Sequence, residues 1–177
     1  MELIRKLQQR HADGRPIAVG LIGCGQMGSG LAHTINNIEG MAVQAIADVD
    51  VNRGIRTFRD MGVPPDRIGS AGTIAQVQDL LRAGRRVVTD DAELLTQAET
   101  IEANVEATGV PDVGARIALR SIENRKPIIM LNVETDITVG AYLSRRARRE
   151  GALYTVASGD EPGVCKMLYE QARLMGF

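Results

Sequence analysis

The sequence has no tryptophan, and aromatic residues make up only 3% of its 177 residues. Single-stranded nucleic acids are commonly bound by stacking their bases on exposed aromatic rings, so we expect no such surface here. The formal net charge is −1, with 21 Lys and Arg against 22 Asp and Glu. Because a nucleic-acid-binding domain usually carries a basic surplus for the phosphates, we predict no nucleic-acid partner.

Cysteine, histidine and long apolar runs are also scarce. The two cysteines are too few for a disulfide framework, which predicts reduced thiols and a cytoplasmic location. The two histidines lie away from the predicted strand ends, so we predict neither a metal site nor a histidine-based triad. No apolar run approaches the roughly 20 residues that cross a bilayer, and the first residues lack the apolar core of a secretory signal. We therefore predict no membrane partner.

What the sequence does contain is a regular alternation of strand and helix patterns. Strand candidates cover residues 17–22, 41–47, 85–89, 101–107, 127–131 and 153–157. Helical spacing covers residues 3–11, 26–38, 52–61, 74–82, 91–97, 113–124, 140–150 and 162–175. This alternation predicts a Rossmann-type, doubly wound α/β fold with a mostly parallel sheet and helices on both faces.

The chain length predicts one domain over residues 1–177, at about 150 residues per domain. A short N-terminal helix at residues 3–11 precedes the first strand. The stretch 62–97 is too long for a plain connection, so we predict a helical excursion there.

The strongest motif is a G-x-G-x-x-G sequence that follows the first predicted strand and opens a predicted helix. Its residues are Gly23, Cys24, Gly25, Gln26, Met27 and Gly28. In a dinucleotide-binding fingerprint the first glycine permits the tight turn, the second lets the pyrophosphate approach the backbone, and the third lets the helix pack closely. The helix N-terminus offers free N–H groups to the phosphates. We predict that Gly23, Gly25, Gln26, Met27 and Gly28 bind the pyrophosphate of NAD or NADP.

The expected acidic residue of this fingerprint is Asp48, twenty residues after Gly28 and just after the second predicted strand. Its carboxylate can accept hydrogen bonds from the adenosine ribose, which favours NAD because a 2′-phosphate would meet a like charge. Arg53 lies shortly downstream and is a candidate contact for a 2′-phosphate. The residues therefore leave NAD and NADP both open.

The ends of the later predicted strands supply the other candidate site residues, since ligands of open α/β sheets bind beyond the carboxyl ends of the strands. Four of these residues are expected to line the nicotinamide side of the cofactor: Ala107, Thr108, Gly109 and Asn132. Gly159 is expected to close the site.

Carboxylates follow two of these strands, at Glu134, Asp136, Asp160 and Glu161. Glu134, Asp160 and Glu161 are our candidates for acid–base or substrate contact, although Asp136 and Asp160 also suit helix caps. A divalent cation could bind such a group, but no further residue pattern supports one.

The thiols have plainer explanations. A helix N-terminus can activate a cysteine, but we favour the explanation that Cys24 is a small side chain that fits a crowded turn. We predict that Cys165 is a packed core thiol on the last helix.

With these residues in place, the chain resembles the NAD-binding domain of the homoserine dehydrogenase superfamily. The matching stretches are IAVGLIGCGQMGSG, AIADVD, NVEATGVP, KPIIMLNVETDIT and the V-x-S-G-x-x-P segment at 156–162. LIRKLQQRHADGRPIAVGLIG and SGDEPG look most like the deoxyxylulose phosphate reductoisomerase-like oxidoreductases, which place a SAF-type domain after this one. The resemblance covers essentially all 177 residues. It implies an NADPH-dependent reduction of a sugar-phosphate-like carbonyl and a place in isoprenoid biosynthesis.

Two departures from that family matter. Homoserine dehydrogenases typically carry a catalytic Lys after the Asn at this strand end, but Val133 follows Asn132 here. Relatives also continue with substrate-binding and dimerisation segments, so we expect the chain to be an N-terminal fragment, inactive by itself, of a protein that forms a homodimer through the missing part.

The sequence thus predicts the NAD(P)(H)-binding domain of an oxidoreductase with a small-molecule substrate. A second hypothesis is a non-catalytic, dinucleotide-responsive sensor or interaction module. A third is a methyltransferase, because glycine-rich turns also bind S-adenosylmethionine, although the Thr108–Gly109 loop and the continuing sheet fit a dinucleotide better.

Overall fold

A computed structural model describes residues 2–157 and 163–177. The strands are β1 (Ile17–Ile22), β2 (Met41–Ala47), β3 (Ile68–Ser70), β4 (Arg86–Thr89), β5 (Ala103–Glu106), β6 (Ile128–Met130) and β7 (Tyr154–Val156). The helices are α1 (Glu2–Ala12), α2 (Gln26–Asn36), α3 (Val51–Asp60), α4 (Ile74–Arg82), α5 (Glu93–Gln97), α6 (Pro111–Glu123), α7 (Val133–Glu150) and α8 (Gly163–Leu174). A 3-10 turn at Pro65–Arg67 precedes β3.

The seven strands form one sheet in the order β3-β4-β2-β1-β5-β6-β7, and every strand pair is parallel. The chain builds outward from β1 to one side through β2 and β4, then returns to pair β5 with β1 on the other side. This reversal of strand order lies between β1 and β5, which is where open α/β sheets bind ligands. The prediction of a Rossmann-type α/β fold is confirmed.

Helices cover both faces of the sheet, as predicted. On one face, α2 and α3 contribute Ala32, Ile35 and Phe58 to a core with β1 and β2. On the other face, helices α4 to α7 pack Val77, Leu95, Ile117, Ile122, Leu143 and their neighbours over the sheet. Burial on both sides explains why the strands have near-continuous apolar sequences.

The stretch 62–97 contains helices, as expected, and it also adds two strands to one edge of the sheet. It holds the edge strand β3 and the strand β4 as well as α4 and α5. The β4 strand was expected, but β3 was missed. Three residues that include Gly69 are too short to show an apolar period.

Helix α7 begins at Val133, seven residues before the predicted start at Gly140. The side-chain oxygen of Asn132 accepts a hydrogen bond from the Thr135 N–H at 3.0 Å and caps the helix. The residues after β6 therefore form the first turn of a helix instead of a loop.

Helix α1 covers the N-terminal residues 2–12, and an ion pair between Arg10 and Glu102 links it to the residue before β5. The prediction for Cys165 is wrong, since its side chain is exposed on α8. Among the helices within residues 2–157 and 163–177, none combines the length and apolar character needed to cross a membrane.

Candidate functional site

Two clefts open at the carboxyl ends of the strands, on either side of the β1–β5 boundary. The β6 cleft, of about 490 Å³, is lined by Gly25–Met27, Ala107–Gly109, Met130, Leu131, Val133, Glu134, Val156 and Ala157. The β2 cleft, of about 300 Å³, includes Gly23, Gly25, Asp48, Arg53, Asp90–Glu93, Ala107, Thr108 and Val110. Because Gly25, Ala107 and Thr108 line both clefts, one elongated ligand can span them.

The turn formed by the glycine motif at residues 23–28, called the glycine turn below, packs directly against the loop 107–110 that follows β5. Gly23 has a φ of +89°, and a Cβ there would lie 2.7 Å from the backbone of Ala107 and Thr108. A Cβ at Gly28 would overlap the carbonyl oxygen of Gly23. Both positions therefore exclude a side chain, for the reasons the fingerprint predicts.

A Cβ added at Gly25 would meet no atom of the described residues within 4 Å. Gly25 is also the N-cap of α2 and supplies no side-chain cap. Within the described residues, no side chain caps the first N–H groups of α2, which lie where the two clefts meet. Such a helix end attracts an anion.

Asp48 lies beside this turn in the β2 cleft. Its Oδ2 accepts a hydrogen bond from the Cys24 N–H at 2.7 Å, and its Oδ1 accepts one from the Asp50 N–H at 2.9 Å. A carboxylate has acceptor capacity beyond these two bonds, so Asp48 can still bind hydroxyl groups in the cleft.

Arg53 and Arg56 lie on the first turns of α3, next to Asp48. Their guanidinium groups are 3.6 Å and 3.7 Å from the same Oδ2 of Asp50. Arg53 lines the β2 cleft, and both arginines line a shallow pocket with Ser29 on the outer side of the glycine turn. Asp48 and Arg53 thus line the same cleft.

Cys24 faces the core instead of the clefts. Its Sγ lies 3.1 Å from the Thr57 Oγ1, and burial raises the pKa of the thiol despite that contact. A buried thiol with a raised pKa is a poor nucleophile. Of the two explanations for Cys24, the small side chain that fits a crowded turn is the better one.

Asn132 lies behind the loop 107–110 and lines neither cleft. It is 1% exposed, and its Nδ2 donates to the Val110 carbonyl at 3.3 Å and to the Thr108 Oγ1 at 3.4 Å. It therefore supports the loop, whereas the predicted neighbours Ala107, Thr108 and Gly109 line the β6 cleft themselves.

The predicted carboxylates separate in the structure. Glu134 is exposed on the first turn of α7 and lines the β6 cleft. Asp136 turns away and accepts a hydrogen bond from the Tyr154 hydroxyl at 2.6 Å. Burial, together with this bond, raises the pKa of Tyr154. The predicted site residues Gly159, Asp160 and Glu161 lie outside the described residues.

Sequence reasoning missed Glu106, the last residue of β5. Its side chain is 0% exposed, and one of its oxygens accepts a hydrogen bond from the Thr108 N–H at 2.9 Å. The available signal was a charged residue within a buried strand, directly before the Ala-Thr-Gly turn. Over the described ranges, no three or more His, Cys, Asp and Glu side chains group as metal ligands do.

Comparison with known proteins identifies the fold. No protein-family model and no curated protein matches the sequence. Among solved structures, myo-inositol dehydrogenase from Lactobacillus casei, in complex with NAD(H) and myo-inositol, superposes with a TM-score of 0.60 and 19% identity. The match covers 80% of this chain and 36% of that one.

Two further structures share the same fold. A homoserine dehydrogenase from Thiobacillus denitrificans has a TM-score of 0.60 and 18% identity over 80% of this chain and 29% of that one. Biliverdin reductase from Synechocystis sp., in complex with biliverdin and NADP+, has a TM-score of 0.57 and 16% identity. That match covers 80% of this chain and 37% of the reductase. The chain thus spans roughly a third of the length of these structures, and at such identities the likeness establishes the fold alone.

Proposed function

We propose that this chain is the NAD(P)(H)-binding domain of an oxidoreductase. One observation carries the proposal: the glycine turn and the uncapped start of α2 lie between two clefts, and Asp48 is bonded to that turn at 2.7 Å. This arrangement offers a place for each part of a dinucleotide, with the pyrophosphate at the junction.

In the proposed complex the adenosine half occupies the β2 cleft and its ribose hydroxyls bind Asp48. The pyrophosphate lies over Gly25 at the N-terminus of α2. The nicotinamide half occupies the β6 cleft, against Thr108 and Gly109. The structural neighbours that contain NAD(H) or NADP+ support a cofactor of this class.

Two features of the site have opposite effects on the preference for NAD or NADP. The negative charge of Asp48 favours an unphosphorylated ribose. Arg53 and Arg56 supply positive charge beside it, in a pocket large enough to receive a phosphate. The resemblance to reductoisomerase-like proteins favours NADPH, so NAD and NADP both remain candidate cofactors.

For the reaction, we propose the reduction of a carbonyl substrate, of which a sugar phosphate is the form that the resemblance implies. The cofactor would supply the hydride. Glu134 is the described carboxylate that lines the β6 cleft, and there it could bind a substrate hydroxyl or exchange a proton. Asp160 and Glu161 remain candidates for the same role.

An alternative is a dinucleotide-responsive module without catalysis. The observation that favours it is Val133, which lines the β6 cleft where the resembling family has a catalytic lysine. An apolar side chain there can neither donate nor accept a proton. Turnover by a longer protein that contains this chain would exclude this alternative.

Calorimetric titration with NADH, NADPH and S-adenosylmethionine tests the proposal. We expect one of the two dinucleotides to bind and S-adenosylmethionine to give no heat of binding. Binding of S-adenosylmethionine alone would contradict the proposal and support a methyltransferase. If a longer protein contains this chain, its oxidation of NADPH with deoxyxylulose phosphate would then test the substrate class.

A further inference from the structure

Glu106 is a buried carboxyl for which the proposed function has no role so far. It ends β5 and is 0% exposed. Its Oε1 accepts hydrogen bonds from both the N–H and the hydroxyl of Thr108. Its Oε2 is buried and, within the described part of the chain, has no hydrogen-bond partner.

The neighbours of Glu106 form a compact polar group behind the loop 107–110. Asn132 reaches the same Thr108 hydroxyl from the start of α7. Gly114 of α6 closes the group, since a Cβ there would lie 2.9 Å from the Glu106 Oε2 and 2.7 Å from the Asn132 Nδ2. The end of β5, the start of α7 and helix α6 thus pack closely around the Glu106 carboxyl.

An unpartnered buried oxygen destabilises a fold, so its presence calls for an explanation. If the only role of this side chain were to accept a hydrogen bond from the Thr108 N–H, a neutral side chain with one acceptor would be enough, and a buried carboxyl would not be needed. Thr108, however, lines both clefts and contacts the Gly23 turn. Any shift of Thr108 therefore moves the wall that the two halves of a dinucleotide would share.

We propose that Glu106 is a positioning residue of the cofactor site, which acts through Thr108 to fix the loop 107–110 in the form that receives the nicotinamide half of a dinucleotide. This inference rests on the proposed function. The carboxylate form accepts from both Thr108 donors. A protonated carboxyl has fewer free acceptor sites and holds the loop less firmly.

The protonation of Glu106 should therefore affect binding. Burial raises the pKa of Glu106. The hydrogen bonds from Thr108 and the nearby Asn132 amide oppose this, and the negative charge of Glu134 on α7 adds to the increase. The contacts from the loop, from the start of α7 and from α6 come from Thr108, Asn132 and Gly114, which carry no charge. Acidification should consequently loosen the loop at a pH above the usual range of a glutamate.

The test compares the wild type with Glu106→Gln and Glu106→Asp, using Glu39→Gln, an exposed site remote from the clefts, as the control. The ligands are NAD+ and ADP-ribose, which lacks the nicotinamide, titrated between pH 5 and pH 8. For the wild type we expect NAD+ affinity to fall on acidification more than ADP-ribose affinity. Glu106→Gln should weaken NAD+ about tenfold, as expected for the loss of a charge-assisted hydrogen bond, and should remove the pH dependence.

Glu106→Asp keeps the charge, so it should retain a pH dependence even where its affinity is lower. The same ratio of NAD+ to ADP-ribose affinity in the wild type and Glu106→Gln, at every pH, would overturn the inference. A stability loss without a change in this ratio would show a purely structural role and overturn it equally.

A measurement without cofactor separates this inference from the proposed function. The amide resonance of Thr108 should titrate with pH in the wild type and not in Glu106→Gln. If none of NAD+, NADP+ and ADP-ribose binds, the proposed function fails, and with it the cofactor role of Glu106. If the Thr108 amide still titrates in that case, the Glu106–Thr108 contact exists and only the proposed cofactor-binding function is wrong.

Discussion

At the scale of single residues, the site depends on positions where one added atom would disturb the packing or one lost charge would weaken ligand binding. Gly28 and Asp48 are the clearest cases. The first has no room for a Cβ, and the second is a carboxylate held by two backbone N–H groups. Both were predicted from their spacing, and each gives a separate test.

Gly28→Ala should destabilise the protein by about 1–3 kcal/mol, because the new Cβ overlaps the carbonyl of Gly23. Gly30→Ala on the same helix is the matched control. An added Cβ there meets nothing within 4 Å, so the better helix propensity of Ala should stabilise by up to about 1 kcal/mol. Urea unfolding measures both, and equal effects would show that the close packing at Gly28 is unimportant.

Asp48→Asn should weaken NADH binding by about tenfold to a hundredfold, because a neutral amide replaces a charged acceptor of the ribose hydroxyls. NADPH should lose less, since a like charge near the 2′-phosphate is removed. Asp66→Asn, on the exposed 3-10 turn, is the charge-matched control. Equal losses for both cofactors, measured by calorimetry, would contradict the role of Asp48 in this choice.

At the scale of elements, the start of α7 links the sheet to the candidate site. The Asn132 side chain caps α7 and also bonds to the loop 107–110. The sequence predicted neither function, because the apolar pattern of α7 becomes clear only further along the helix. Asn132 therefore stabilises the start of α7 and also holds the loop 107–110, which lines the clefts.

Asn132→Ala should cost about 1–2 kcal/mol of stability through the lost cap, and it should also weaken dinucleotide binding through the released loop. Thr73→Ala removes the cap of α4, where the Thr73 Oγ1 accepts from the Gln76 N–H at 3.3 Å. This control should lose about 1 kcal/mol and keep its affinity. Unchanged affinity in Asn132→Ala would contradict its support of the loop.

The hydrogen bond from Tyr154 to Asp136 joins α7 to β7. Tyr154→Phe should destabilise by about 1.5–3 kcal/mol, the usual contribution of a bond to a charged group. Tyr142→Phe, an exposed tyrosine on α7, should change stability by less than about 0.5 kcal/mol. Chemical denaturation of both variants is the measurement, and similar values would show that the bond to Asp136 adds little.

At the scale of the whole molecule, the buried carboxyl of Glu106 should make stability depend on pH. Its pKa is raised above the usual 4.5, so the folded state binds the proton more tightly than the unfolded state. This contribution is present at low pH and is lost as the pH rises through the folded-state pKa, with a slope of at most about 1.4 kcal/mol per pH unit.

Glu106→Gln should therefore flatten the fall in unfolding free energy as the pH rises above 4.5. Glu39→Gln, an exposed change of the same kind, should leave the curve as in the wild type. Urea unfolding at intervals of half a pH unit would measure this. Parallel curves for Glu106→Gln and the wild type would mean that the buried carboxyl does not titrate in this range.

The sequence by itself determined the alternation of strands and helices, the glycine turn and the position of Asp48, because these features follow local periods and fixed spacings. The edge strand β3, the bond of Asp136 to Tyr154 and the place of Asn132 were decided by the tertiary structure. Glu106 shows the reason most clearly. Glu106 is buried because α6, α7 and the loop 107–110 pack over the end of β5. Contacts between segments so far apart in the sequence produce no periodic pattern of residues, so the sequence alone does not show them.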